Sequence, residues 1–180
     1  NEGINKILET EEDSIDFHRF YFPPTTANFP KCFRKNVIFD TAKFSGDVCF
    51  VGTEFLGKAD FRDATFSGDV CFATTEFSKD VFFARTEFSE ADFEYAIFSA
   101  KADFKDATFS GRANFVEAKF LDANFEHAIF LEMVDFEDTV FSGIVDFENA
   151  VFSETVFEFA IFSEKANFGY AFFSGNVSFE

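Results

Sequence analysis

Carboxylates are the most abundant reactive groups in this chain. Asp and Glu number 33 against 15 Lys and Arg, and the net charge is −18. Two carboxylates do acid–base chemistry when a cleft holds them together and raises the pKa of one. Here they recur at short, regular intervals among polar and turn residues, the pattern of a convex repetitive surface, so the chain is expected not to be an enzyme. His18 and His127 are far apart in the chain and have no evident triad partners. Cys32, Cys49 and Cys71 are too few and too unevenly spaced for a disulfide framework. Without clustered His they are also a weak set of metal ligands. The serines belong to recurring Ser-Gly pairs such as Ser45-Gly46 and Ser110-Gly111, which are turn chemistry. No catalytic residue, cofactor site or metal site is therefore expected.

The same charge bears on partners. Nucleic acid and anionic membranes would both be repelled, so direct binding to either is not expected. A basic protein partner fits, and so does acidity that serves solubility alone. No apolar run is long enough to span a bilayer, and no signal peptide stands out. Three unframed cysteines suit a reducing compartment, and the expected location is the cytoplasm.

What positions these groups is a repeat of Phe, which accounts for 35 residues, with no Trp and 3 Tyr. From Phe39 to Phe179 it recurs 27 times in steps of five or six residues. Two residues before each of these Phe stands Ala, Val or Thr, as in Ala59 before Phe61, Val70 before Phe72 and Thr75 before Phe77. On a helix, residues five apart are turned by about 140°, so successive Phe would not share a face. On a strand, residues two apart point the same way. Each small–x–Phe triplet therefore reads as a three-residue strand facing inward. The next triplet comes too soon for anything but a corner. Four sides close a square coil of 21 or 22 residues, as from Phe39 to Phe61 and from Phe83 to Phe104. Coils then hydrogen-bond at about 4.8 Å, and Phe stacks on Phe.

The triplets Ala59-Asp60-Phe61, Ala91-Asp92-Phe93, Ala102-Asp103-Phe104, Ala113-Asn114-Phe115, Ala123-Asn124-Phe125 and Ala166-Asn167-Phe168 carry a resemblance to the pentapeptide-repeat family, in its Phe-rich form. The resemblance covers roughly residues 37–179. It implies an all-β fold, a right-handed quadrilateral parallel β-helix. The six-residue steps depart from the family pattern and imply wider corners on two opposite edges. Earlier in the chain, Ile15-Asp16-Phe17 fits the triplet, and Phe22, Phe29 and Phe33 supply three more sides. Ile4, Ile7 and Leu8 have helical spacing. The expected organisation is a short capping helix over 1–14, a degenerate first coil over 15–36 and the repeat solenoid over 37–180.

The register then sorts the surface. Glu94, Glu117, Glu137, Asp138 and Glu158 follow Phe on one side and form an acidic ridge, which either serves solubility or meets a partner. Asp60, Asp103, Asn124, Asp146 and Asn167 on one face, and Asp92, Asn114 and Asp135 on the opposite one, are expected to bond backbone at corners. Toward the C-terminal end Ile161 points outward on one of the two remaining sides, and Val151 and Phe172 on the other. They form a candidate dimer surface, although β-propensity alone also accounts for them. Cys49 and Cys71 take the same outward position one coil apart and are expected to be free thiols.

The expected function is a non-enzymatic protein-binding or scaffold module with an unidentified, basic protein partner, and a homodimer through the C-terminal end is compatible with it. The resemblance adds an alternative. Quinolone-resistance members of the family bind DNA gyrase in place of DNA, so this chain is alternatively a DNA mimic for a topoisomerase such as gyrase. About seven coils give a rod of roughly 35 Å. B-DNA of that length carries roughly 20 charges, close to the 18 negative charges here.

Overall fold

The computed structural model describes residues 13–24 and 29–179. Every regular element among them is a short β-strand, and every strand pairing is parallel, made with the equivalent strand one coil away. The chain is a four-sided β-solenoid. The sides are called here faces one to four, in chain order from Phe17.

The interior is four columns of Phe. Phe17, Phe39, Phe61, Phe83, Phe104, Phe125, Phe147 and Phe168 form the first. The column from Phe22 to Phe173 lies on face two, that from Phe29 to Phe179 on face three, and that from Phe33 to Phe162 on face four. Rings stacked within a column have centroids 4.4–5.3 Å apart and are close to parallel. Across the core, faces one and three meet edge to face, as in Phe104 with Phe115 at 5.8 Å and 90°. Both are favoured aromatic geometries. The Ala, Val and Thr two residues before each Phe fill the space beside the rings and are buried over most of the stack.

The corners explain the two step lengths. After faces one and three the step is five residues throughout the stack from Phe39 onward. A tight turn closes with an N–H three residues beyond Phe donating to the Phe carbonyl, as Ala42 does to Phe39 at 2.9 Å. The residue two beyond Phe must take a positive φ, a conformation usually given to glycine. Gly52 is the glycine in this series. Among the described residues thirteen others, including Thr74, Tyr95, Glu117 and Asp138, adopt it with φ between 53° and 58°. Each corner is tied to the next coil: the Glu117 N–H donates to the Glu137 carbonyl and the Asp138 N–H to the Glu158 carbonyl, both at 2.9 Å. The six-residue steps fall at the other two corners, on opposite edges as expected. Where that step shortens to five, one strand runs on around the corner, as in Glu87–Asp92, Lys119–Asn124 and Val151–Val156. Gly68 sits at such a wide corner, and a Cβ there would lie 2.6 Å from the Gly46 carbonyl carbon, so the two backbones meet with no side chain between.

Backbone bonding alternates around the square. On faces one and three the N–H groups donate to the following coil, as Phe104 does to Asn124 and Phe115 to Asp135. On faces two and four they donate to the preceding coil, as Ser110 does to Phe88 and Ser142 to Phe120.

Ahead of the regular repeat, Ser14–Asp16 pairs with Asn36–Ile38, and Phe17, Phe22, Phe29 and Phe33 stack under Phe39, Phe44, Phe50 and Phe55. The capping helix expected over 1–14 lies outside the described residues except at its end. There Ser14 opens a strand rather than continuing a helix, because Ile15 and Phe17 both point inward and require an alternating backbone.

Two core predictions follow from this packing. Phe115 is fully buried between Phe93 and Phe136, so Phe115→Ala should cost about 3–5 kcal/mol in a denaturant melt. A loss below a third of that would contradict the stacked core. The buried Thr hydroxyls divide differently. Thr139 donates to the Phe115 carbonyl at 2.7 Å, whereas buried Thr155 has no partner and sits in register between Val134 and Val177. Thr155→Val should therefore stabilise by about 1 kcal/mol and Thr139→Val should destabilise by a similar amount; equal effects in paired melts would show the two hydroxyls to be equivalent.

Candidate functional site

Outward positions stack in columns as the Phe do, so each surface charge has its closest neighbours one coil above and below. Three arrangements of these stacked charges occur. On face one the residue before Phe alternates through Asp103, Asn124, Asp146 and Asn167. Each accepts a backbone N–H two residues on, as Asn124 does from Glu126 at 2.9 Å and Asp146 from Glu148 at 2.9 Å. The amides also bridge to the carboxylates below: Asn124 donates to Asp103 at 3.1 Å and Asn167 to Asp146 at 3.0 Å. Face three repeats this with Asp92, Asn114 and Asp135. These residues therefore cap corners, as expected, and alternating acid with amide keeps like charges from stacking.

The second solution is pairing with cations. Along the edge between faces one and two, Arg85 holds Asp63 through two bonds of 2.7 Å, Lys105 meets Glu126 at 2.6 Å, Arg62 lies against Asp60, and His18 Nδ1 is 2.9 Å from Asp40. His127 lies on this edge beside Glu126, far from His18. At the corner between faces four and one the outward column runs Lys58, Asp80, Lys101, Asp122, and Lys58 bonds Asp80 at 2.8 Å. In three of these pairs the cation holds its carboxylate below the usual range: Arg85 at Asp63, Lys105 at Glu126 and Lys58 at Asp80.

The third arrangement has no compensation. The edge between faces three and four carries the five acids of the ridge, and among the described residues no ion pair includes any of them. The ridge is two columns rather than one. Glu94, Val116, Glu137 and Glu158 directly follow Phe and are half-buried. Tyr95, Glu117, Asp138 and Phe159 come one residue later and are exposed. The structure thus brings the five acids to one edge, but Val116 interrupts the inner column, and aromatic residues bracket the outer one. The Tyr95 hydroxyl donates to Glu117, which raises its pKa. The half-buried Glu137 carboxyl is raised by burial and then by Asp135, Asp138, Glu158 and Glu117. Toward the N-terminus the same edge continues as Thr74, Ala73, Gly52 and Val51, so the uncompensated charge is confined to the coils from Glu94 to Glu158.

The candidate dimer residues do not form one patch. Val151 and Phe172 are register neighbours on face two, while Ile161 lies beside Val140 on face four, across the solenoid. Lys58, Lys79, Lys101, Lys119 and Lys165 lie on face four or at its corner with face one and do not interrupt the acidic ridge. Sequence reasoning missed the ion-pair edge, whose signal was the 22-residue spacing of opposite charges such as Asp63 and Arg85.

The family model for pentapeptide repeats (9 copies) matches residues 93–140 and 104–151. No curated protein matches the chain in sequence. Among solved structures, a trypsin-treated QnrB1, a plasmid-mediated fluoroquinolone resistance protein, is 16% identical over 92% of this chain and 88% of its own, with a TM-score of 0.38. HetL, a pentapeptide repeat protein involved in heterocyst differentiation regulation from the cyanobacterium Nostoc sp., is 11% identical over 96% of this chain and 94% of its own, with a TM-score of 0.26. At these values the likeness says nothing of function.

Because Glu137 titrates upward in the fold, its contribution to stability is fully present below the unfolded glutamate pKa and is lost as pH rises through its raised folded value. Glu137→Gln should therefore raise the melting temperature at neutral pH, and the gain should vanish under acid conditions. A variant that melts like the parent at neutral pH would show the ridge charges to be screened.

Proposed function

We propose that this pentapeptide-repeat solenoid is a non-enzymatic protein-binding module whose acidic edge, from Glu94 to Glu158, receives a basic segment of a partner protein. One observation carries the reading: five acids share this edge and, among the described residues, none of them meets a cation, whereas other stacked acids without a cation form smaller groups, Glu54 with Glu76 and Asp47 with Asp69 and Glu90. Leaving like charges stacked costs stability, which a partner's cations would relieve. Tyr95 and Phe159 add exposed rings at the two ends of the outer column, surfaces over which Lys or Arg side chains pack favourably.

DNA mimicry is the weaker reading. A duplex-like surface needs charge about every 1.7 Å along its length, whereas the open acids span three coil steps, roughly 14 Å. Six of the other acids among the described residues are tied up in pairs.

The test is binding of a fluorescent lysine-rich peptide, followed by anisotropy at several salt concentrations. A variant carrying Glu94→Gln, Glu117→Gln, Glu137→Gln, Asp138→Asn and Glu158→Gln should lose about tenfold or more in affinity. A control with Asp40→Asn, Asp63→Asn, Asp80→Asn and Glu126→Gln removes nearly as much charge and should bind as the parent does. Equal losses in both would mean that net charge, not this edge, attracts the peptide. Inhibition of gyrase supercoiling that survives the ridge substitutions would overturn the assignment of the edge as well.

A further inference from the structure

The outward column of face three begins with two cysteines. Cys49 and Cys71 are direct register partners on adjacent parallel strands, Val48–Cys49 and Thr65–Cys71. Their backbones are therefore about 4.8 Å apart, inside the Cα range of about 4.4–6.8 Å that a disulfide spans. Both side chains leave the same face of the sheet, and both are free thiols. Forming the bond needs the Cβ atoms at about 3.8 Å, so the coils must pinch by roughly an ångström there. The local chain suits this. Gly46 and Gly68 lie three residues before the cysteines, at a corner where the two backbones already approach too closely for a Cβ. Gly52 lies three residues after Cys49 and takes the positive-φ corner position without a side chain.

The two thiols are chemically unlike. Cys49 is exposed and open to attack. Cys71 is half-buried and borders a groove of about 420 Å³ shared with Asp69, Glu90, Asp92 and Arg112. Its thiol donates to the Asp92 carboxylate at 3.4 Å. Burial pushes that thiol up to about 11, with the neighbouring Asp92 and Cys49 adding to the effect. It stays protonated and unreactive toward solution oxidants at neutral pH, poised beside the sulfur that reacts first.

We propose that Cys49 and Cys71 are a peroxide-sensitive dithiol that closes to a reversible disulfide between two coils, with Cys49 as the thiol attacked first and Cys71 as the resolving thiol. In the first step the Cys49 sulfur attacks the peroxide. An S–O bond forms, the O–O bond breaks, and the departing oxygen leaves as water with the thiol proton, giving a sulfenic acid. In the second, the Cys71 sulfur attacks the Cys49 sulfur. The S–S bond forms, the S–O bond breaks, and the hydroxyl leaves with the Cys71 proton as water. Two thiols are oxidised and one peroxide is reduced to two waters. The bond closes a 22-residue loop, one full coil, and staples neighbouring coils. Cys32 takes no part. It lies on face four, paired in register with Glu54.

The experiment is hydrogen peroxide treatment of the whole native chain, then alkylation and non-reducing peptide mapping. The expected product has lost two hydrogens, contains a Cys49–Cys71 linked peptide, leaves Cys32 alkylated and returns to three thiols with dithiothreitol. In Cys71→Ser, Cys49 should stop at a sulfenic acid trapped by dimedone; in Cys49→Ser, Cys71 should stay reduced under the same treatment. Thermal melts show whether either variant is folded, and the two variants fail independently. Native protein in which Cys49 is over-oxidised or joined to a second chain while Cys71 remains alkylatable overturns the proposal.

Discussion

The distance between stacked coils governs everything else in this molecule. Parallel strands in adjacent coils lie about 4.8 Å apart, and the Phe rings in each column stack at 4.4–5.3 Å. Hydrogen bonding and ring packing thus ask for one repeat length and get it from the same chain geometry. A branched aliphatic core would need complementary shapes to interlock at every level. A flat ring needs another flat ring, so one residue type serves all levels. The cost is conformational, because the coil must close in 21 or 22 residues. Among the described residues that closure forces thirteen non-glycine residues into a positive-φ corner, a conformation of order 1 kcal/mol or more above the alternatives for each. The hydrogen bonds from these corners to the next coil hold the conformation in place.

Stacking that suits rings is awkward for charges. A side chain repeated at the same outward position meets its copy at the strand spacing, and the sequence meets this with alternation. Asp103, Asn124, Asp146 and Asn167 on face one, and Lys58, Asp80, Lys101 and Asp122 at a corner, are two versions of the same rule. The edge from Glu94 to Glu158 departs from it. Smaller departures occur elsewhere, where Glu54 stacks with Glu76 and Asp69 with Glu90, but this edge gathers five acids.

The solenoid was legible in the sequence because the small–x–Phe spacing encodes inward direction and corner position at once. Val37 to Phe39 and Val177 to Phe179 obey the same two-residue rule, and the structure places them in equivalent columns. The wider corners were legible for the same reason, from the six-residue steps. The ridge was legible only as a set of residues on one side. Glu94 follows Phe93 by one residue and Glu117 follows Phe115 by two, and in the fold that single position separates a half-buried column from an exposed one. The candidate dimer residues sort onto two sides by register alone, Ile161 on one and Val151 and Phe172 on the other, and the structure has the same placement. Ion pairs such as Asp63 with Arg85 depend on rotamers reaching across coils and leave only a spacing in the sequence.

The alternating sense of the backbone bonds has an electrical consequence. In an α-helix every peptide dipole points the same way, and the ends carry partial charges of opposite sign. Here the N–H groups of faces one and three point toward one end and those of faces two and four toward the other. The contributions cancel, and the rod is a stack of aligned bonds with almost no axial polarity. Its external field is therefore written by side chains alone, so substituting a few surface residues redraws it without touching the frame that carries them.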